Sequence, residues 1–413
     1  MLPKGWVITE WMDAVKISHG QNQKKVESIN GIYPIYGSGG QIGMALKYLC
    51  KAGSTVVGRK GTINKPFFAQ TDFWNIDTAF GITPYEGVLP RYLFAFCLHF
   101  NFSTLDLSTT IPSLTQKNLY SIRMPLPPLA EQHLIVAKID ALFSRLDKGV
   151  ETLQTIRQQL QMYRQAVLKW AFGWKDWEMK PLRSLVESVF DGPFGSNLKT
   201  SDYTDSGVRV VRLENIKQMN FYNEKRAFIS EDKYQLLKRN TVQYPDMIMS
   251  TFISDEIKVC IFPEKIDKAI NKADCVCIRT NNSINSKFLM YYLSSKQVYD
   301  AFFAKIHGAT RPRVNTTQIK EILIPVLQQD EKIKLIVAIE SRLSVCDKLE
   351  QIVDENLAKA TTLRQSILKK AFSGKLVPQD PNDEAADKLL ERIKAMKTAI
   401  SLRSKPLKRE KDA

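Results

Sequence analysis

Arg164-Gln-Ala-Val-Leu-Lys-Trp-Ala-Phe172 returns as Arg364-Gln-Ser-Ile-Leu-Lys-Lys-Ala-Phe372, identical at six of nine positions and offset by 200 residues. Upstream the same offset aligns Ile139 with Ile339, Ser144 with Ser344 and Asp147-Lys148 with Asp347-Lys348, without insertion or deletion. A period this long lies outside the ~20 to 50 residues of solenoid repeats. It marks a duplicated half-protein whose shared stretches are 125–172 and 325–372.

Both stretches read as long helices. In the first, Ile135, Ile139, Leu142, Leu146, Val150, Leu153, Ile156, Leu160, Tyr163 and Val167 recur at a mean step near the helical ~3.6, mixing threes and fours as coiled coils do. Ile336, Ile339, Leu343, Cys346, Leu349, Val353, Leu357, Ala360, Leu363 and Ile367 repeat the pattern. Each helix should run roughly 60 Å at ~1.5 Å per residue. Gly173 and Gly374 are the expected stops. A helix with one apolar stripe must bury it, and the expected partner is the other copy, packed antiparallel. Ile139, Leu142, Leu146, Leu153 and Leu160 are then set against Ile339, Leu343, Val353, Leu357 and Leu363. The alternative is that each helix merely covers its neighbouring domain.

The remaining chain falls into two mixed domains, which makes the fold class α+β: two mixed α/β domains separated and joined by two long antiparallel coiled-coil helices. Residues 1–124 form the first domain, 125–173 the first helical spacer, 174–324 the second domain, 325–374 the second spacer and 375–413 a tail with a short amphipathic helix. Strands are expected at Gly53–Gly58, Val208–Leu213 and Cys275–Ile278, and a helix at Pro90–Phe100. Ser108–Leu119 and Gly308–Ile319 close the two domains at the same offset, but Ile111 and Ser113 in the first become Arg311 and Arg313 in the second.

Hydrophobic residues make up 44% and charged residues 25% of the 413, a globular balance rather than a disordered one. No run reaches the ~18 apolar residues of a membrane span. Met1-Leu-Pro-Lys-Gly-Trp6 does not open a signal peptide, so a cytoplasmic location is expected. The six cysteines show no CxxC or zinc-finger spacing and read as reduced, buried small hydrophobes. Lys and Arg number 59 against 43 Asp and Glu, a formal net charge of +16 that favours a polyanionic partner.

Catalytic patterns come close without closing. Gly53–Gly58 has the glycine spacing of a P-loop, but Arg59 and Gly61 displace its lysine and hydroxyl residue. Gly37-Ser-Gly-Gly40 lacks the third glycine of a dinucleotide fingerprint. Asp191-Gly-Pro-Phe194 and Asn64-Lys-Pro-Phe67 each fall one residue short of the amino-methyltransferase signature that grips a flipped base. The four histidines form no metal-spaced cluster, and His99 reads as a packed residue. The chain thus reads as a binder. Arg matches guanine, Asn matches adenine, and Lys or hydroxyls take phosphates, so the candidate DNA contacts are Arg59, Lys60, Thr62, Asn64 and Lys65 in the first domain. Ser196, Asn197, Lys199, Thr310, Arg311 and Arg313 are those of the second. For Arg311 and Arg313 the plain alternative is a local salt bridge or cover for helix carbonyls.

The order of globular domain, proline-rich approach Pro125-Leu-Pro-Pro-Leu-Ala-Glu-Gln132, and long helix ending Leu-Lys-x-Ala-Phe, repeated once, resembles the specificity subunit of type I restriction-modification systems. Ala371-Phe-Ser-Gly-Lys-Leu-Val-Pro378 resembles the ending of that family's second repeat, and Gly61–Phe67 and Asp191–Ser196 resemble segments of its target-recognition domains. The second approach, Pro325-Val-Leu-Gln-Gln-Asp-Glu331, departs by lacking the Pro-Pro pair and the Glu-Gln arrangement. The resemblance implies a non-catalytic chain without cofactor, each domain reading one half of a bipartite double-stranded DNA site. It implies two modification subunits that methylate adenine with S-adenosylmethionine, docked on the helix pair, and restriction subunits that hydrolyse ATP with Mg and cut. Two other readings are a self-sufficient DNA adenine methyltransferase with degenerate motifs and a coiled-coil adaptor whose charge is incidental.

Overall fold

The computed structural model describes residues 2–173, 176–281, 283–304 and 312–403. The chain divides into two compact units, one of Met1–Leu153 with Glu355–Ala413 and one of Gln154–Asp354. The two long helices, Leu129–Phe172 and Gln329–Phe372, each contribute one half to each unit.

In the first unit, strand Val7–Glu10 pairs antiparallel with Arg123–Leu126, the strand that leads into the first long helix. A four-stranded antiparallel sheet has the spatial order Val15–His19, Ala79–Pro84, Thr55–Gly58, Phe67–Phe68. Beside it, Tyr33–Gly37 pairs antiparallel with Gly40–Ala45 and parallel with Trp74–Asn75. The expected helix spans Pro90–His99 and buries Tyr92, Leu93 and Phe96. Those rings close on Phe372 from the second long helix: Tyr92 and Phe96 lie 5.4 Å from it and His99 stacks at 5.2 Å. His99 is thus a packed side chain, its pKa lowered by burial and then by the charge of Lys369. The tail helix, Ala386–Arg403, seats Ala386, Leu389 and Ile393 in the same core.

The second unit repeats the plan on different residues. Glu178–Pro181 pairs with Leu323–Val326, and the four-stranded sheet has the order Val186–Phe190, Cys275–Thr280, Met247–Ser250, Val259–Ile261. Val208–Val211 runs parallel to Ala269–Asn271, as Tyr33–Gly37 runs parallel to Trp74–Asn75. Even a buried turn recurs: the Asn75 amide donates to the Ala79 carbonyl at 2.9 Å and the Asn271 amide to the Cys275 carbonyl at 2.6 Å. Phe172 packs at 5.6 Å from Phe288 and 5.2 Å from Tyr292, the counterpart of Phe372 in the first unit. All six cysteines are buried and unpaired.

The long helices pack antiparallel. Arg164 pairs with Asp347 and, at 2.9 Å, with Glu350; Arg364 pairs with Asp147, and Arg157 with Asp354. Arg164 and Arg364 are repeat equivalents, as are Asp347 and Asp147, so the same ion pair is made once in each unit. Ile139, Leu160, Ile339, Leu343 and Val353 are buried, while Leu142, Leu146, Leu153 and Leu357 are half-buried. Leu363 is a correction: it is 50% exposed, as is Tyr163 at 49%. The stripe steps from Val353 through Leu357 and Ala360 to Arg364, whose guanidinium lies 4.5 Å over the Phe143 ring. An arginine therefore fills the seam where the leucine beside it was expected, its aliphatic stem packing while its head reaches a carboxylate.

Arg164→Gln is expected to cost the second unit about 1 kcal/mol, and Arg364→Gln a fraction of that. The reason is exposure: the Arg164 side chain is 15% exposed and that of Arg364 37%. Urea titrations of both variants test the ranking, and a larger loss for Arg364→Gln would contradict it.

The helix starts are built alike. Trp6 donates through Nε1 to Glu131 at 2.7 Å, and Trp177 to Glu331 at 3.3 Å. Gln132, fully buried, accepts from the Leu89 amide at 2.9 Å and donates to the Gly87 carbonyl at 3.1 Å. In the second copy Lys332 reaches the Ser283 carbonyl at 3.5 Å. The departure seen in the sequence thus replaces the Pro127-Pro128 pair by Leu327-Gln328 and Gln132 by Lys332, while the Trp–Glu hydrogen bond at the helix start persists. At the far end Gly374 takes φ +68°, the left-handed conformation that closes a helix.

Candidate nucleic-acid interface

The candidate loop of the first unit follows strand Thr55–Gly58 and returns into Phe67–Phe68. A P-loop cradles phosphate at the start of a helix, whereas here the second glycine ends strand Thr55–Gly58 and a loop follows. Two backbone hydrogen bonds, which flank a β-bridge, tie the loop to the segment that closes the domain. The Leu114 amide donates to the Arg59 carbonyl at 2.8 Å, Lys60 bridges Ser113, and the Gly61 amide donates to the Pro112 carbonyl at 2.8 Å. Gly61 does so at φ +80°, where a side chain is strained.

Within this loop the side chains have unlike roles. Arg59 is half-buried and donates to the Asp77 carbonyl at 3.1 Å. Lys60 and Lys65 are exposed and Thr62 is half-buried. The Asn64 amide is held from three sides, donating to Asn101 Oδ1 and Ser103 Oγ and accepting from the Phe102 amide, each at 2.7 Å. It ties the loop to the segment 101–103. The Gly37–Gly40 stretch is the turn of a β-hairpin, with Gly37 opposite Gly40, and not the strand-to-helix turn of a dinucleotide site.

The second unit makes the same two hydrogen bonds around a bridge. The Val314 amide donates to the Thr251 carbonyl at 2.9 Å, Phe252 bridges Arg313, and the Ile253 amide donates to the Pro312 carbonyl at 3.1 Å. Thr251-Phe-Ile253 therefore stands where Arg59-Lys-Gly61 stands in the first unit. The loop from 251 to 257 is not legible as a contact segment in the sequence, because its polar residues Ser254, Asp255 and Glu256 carry no cationic signal. At the bridge itself the cation has changed strands: Lys60 faces Ser113 in one unit and Phe252 faces Arg313 in the other.

Arg313 forms an ion pair with Asp274 and lies 5.2 Å over the Phe252 ring, the local pairing that was its plain alternative. Its side chain is still 46% exposed. With Asp191, Phe194, Thr251, Asn315 and Thr316 it lines a cavity of about 510 Å³. Burial pushes the Asp191 carboxyl above its ordinary range, opposed by the Gly192 amide and the charge of Arg313. Ser196, Asn197 and Lys199 are exposed beyond Phe194, itself 52% exposed, on and after the single 3-10 turn Gly195–Asn197. Thr310 and Arg311 lie outside the described residues. Among the described residues no group of three or more His, Cys, Asp or Glu could hold a metal ion, and no helix is long and apolar enough to cross a membrane.

Comparison with known proteins agrees with this plan. The chain is 27% identical to the EcoBI specificity subunit of Escherichia coli, with 75% of this chain and 71% of that protein covered. It is 23% identical to the EcoKI specificity subunit of E. coli strain K12, with 96% and 97% covered. Both are specificity subunits of type I restriction enzymes. A solved structure from work on the assembly and conformational transition of the type I R-M system superposes with a TM-score of 0.68 at 17% identity, covering 91% of this chain and all of that one. The family model described as the type I restriction modification DNA specificity domain matches residues 3–161 and again 174–357, and the chain belongs to that family.

Proposed function

We propose that this chain is the DNA-reading subunit of a type I restriction-modification complex and carries no catalytic step itself. Each unit reads one half of a bipartite duplex site. The long helices set the unread spacer and dock two modification subunits, which supply S-adenosylmethionine and methylate adenine. Restriction subunits supply the ATP- and Mg-dependent cutting, and the assembly works in the cytoplasm. The observation that carries this reading is the bridge: two units of one plan present a cation from opposite strands, Lys60 in one and Arg313 in the other. A shared scaffold with different chemistry at its tip is what two readers of different sequences require. A stiff helix suits the spacing task, because both readers must meet the same groove of a duplex that repeats every ~34 Å.

The test uses Lys60→Ala and Arg313→Ala chains assembled with their modification subunits. Each is expected to weaken binding to its own half-site and to flatten the dependence of log affinity on log salt by about 0.9 for each phosphate left unneutralised. Unchanged affinity and slope in both variants would count against the interface. Binding that ignores salt altogether would favour an adaptor.

A further inference from the structure

Arg209 has the wrong chemistry for its position. It sits in Val208–Val211, the middle strand of a five-stranded sheet, opposite Phe228 on one side and Ala269 on the other. The residue is 4% exposed, and of its donors Nη2 reaches the Lys225 carbonyl at 3.0 Å. Nε and Nη1 are buried without an acceptor among the described residues. The Phe228 ring lies 5.7 Å from the guanidinium carbon and offers only its face.

A guanidinium withdrawn from water with two donors unsatisfied is destabilising unless an anion completes it. Glu214 is committed to Arg212 and Glu231 to Lys268 at 3.5 Å, and among the described residues the exposed Asp267 makes no hydrogen bond or ion pair with Arg209. The charges that face Arg209 are themselves mostly positive: its pKa is lowered by burial and then by Arg226 and Arg212, with only Glu214 acting the other way. Arg209 lines a cavity of about 560 Å³ together with Arg226, Lys265, Lys268 and Asn223, with the carboxylates Glu231 and Asp267 also on its lining. The feature is particular to this unit. The parallel pairings of Asn75 with Tyr36 and Asn271 with Val211 place Pro34 of the first unit where Arg209 stands in the second.

We propose that Arg209, with Arg226 and Lys265 at the rim, forms a phosphate-binding site in the second unit. The ligand is a phosphate oxyanion, which forked guanidinium donors fit. Its source is either a backbone phosphate of bound duplex, a case that rests on the DNA-reading function above, or free phosphate, which does not.

Two measurements separate these sources. The melting temperature of the full chain is compared in potassium phosphate and in potassium chloride at matched ionic strength. The wild type is expected to melt higher in phosphate, Arg209→Met to lose that difference, and Arg226→Gln at the rim to reduce it. In the second arm the chain, assembled with modification subunits, binds its cognate duplex across a salt series. A slope flattened by about 0.9 in Arg209→Met assigns the site to a DNA phosphate. An unchanged slope with a lost phosphate response assigns it to free phosphate. If Arg209→Met does not fold, Arg226→Gln decides in both arms. A wild type that melts alike in both salts, with slopes unaltered in the variants, overturns the site. Failure of the wild-type complex to bind any duplex would instead count against the proposed function and leave the phosphate arm standing.

Discussion

Phe372→Ala is expected to destabilise the first unit by about 3–5 kcal/mol, and Phe172→Ala the second unit by a similar amount. Each phenylalanine ends a Leu-Lys-x-Ala-Phe motif and is nearly buried, at 7% and 4% exposure. Each fits into rings from the opposite element, so truncation leaves a cavity lined by Tyr92, Phe96 and His99 in one unit and by Phe288 and Tyr292 in the other. Rigid aromatic neighbours cannot collapse into that space, which places the cost toward the upper end. Amide hydrogen exchange gives the local readout. Phe372→Ala should lower protection in helix Pro90–His99 while helix Ser286–Leu293 keeps its own, and Phe172→Ala should do the reverse. A loss under about 1 kcal/mol would mean that the motif does not anchor the helix ends.

A second large effect is expected at the helix seam. Ile339→Asp should cost upwards of about 3 kcal/mol, because Ile339 is fully buried and an unpaired carboxylate there would be desolvated. Leu146→Asp should cost less, since a half-buried side chain can turn its carboxylate to water. Leu363→Asp should stay within about 0.5 kcal/mol. The pH dependence follows from the sign of the shift. Burial raises the new carboxyl's folded pKa above its unfolded ~3.9, so the penalty is smallest below that value and grows as pH rises through the folded pKa. Urea midpoints at roughly pH 3 and pH 7 check both points. Equal losses at residues 339 and 363 would contradict the observed seam.

The helices can be read in the sequence because a 3.6-residue stripe survives divergence and the offset of 200 holds from Gln116 and Thr316 to Phe172 and Phe372. The stripe's period leaves one ambiguity, since it cannot tell a leucine from the arginine beside it. Periodicity therefore puts Leu363 in the seam where Arg364 packs. The readers are far less visible. Trp6 and Trp177 do the same work, yet they stand 125 and 154 residues before their glutamate partners, so no fixed offset links them. Backbone contacts define their common plan, and backbone contacts leave no residue signature. For the same reason nothing in the sequence sets Thr251–Ile253 opposite Arg59–Gly61, or shows that the exposed Asn64 amide is hydrogen-bonded to residues 101–103. Arg209 carries no signal either, being one basic residue among 59 until its strand is placed in a sheet.

The central claim is that each unit reads one half-site independently. Methylation-aware sequencing of DNA modified by the assembled complex, with the wild-type chain and with residues 1–124 exchanged for another reader of this family, tests it most directly. The expected result is a bipartite methylated site with an unread spacer, in which the exchange changes one half and leaves the other half and the spacer as they were. A site unchanged by the exchange, or one altered in both halves, would contradict it.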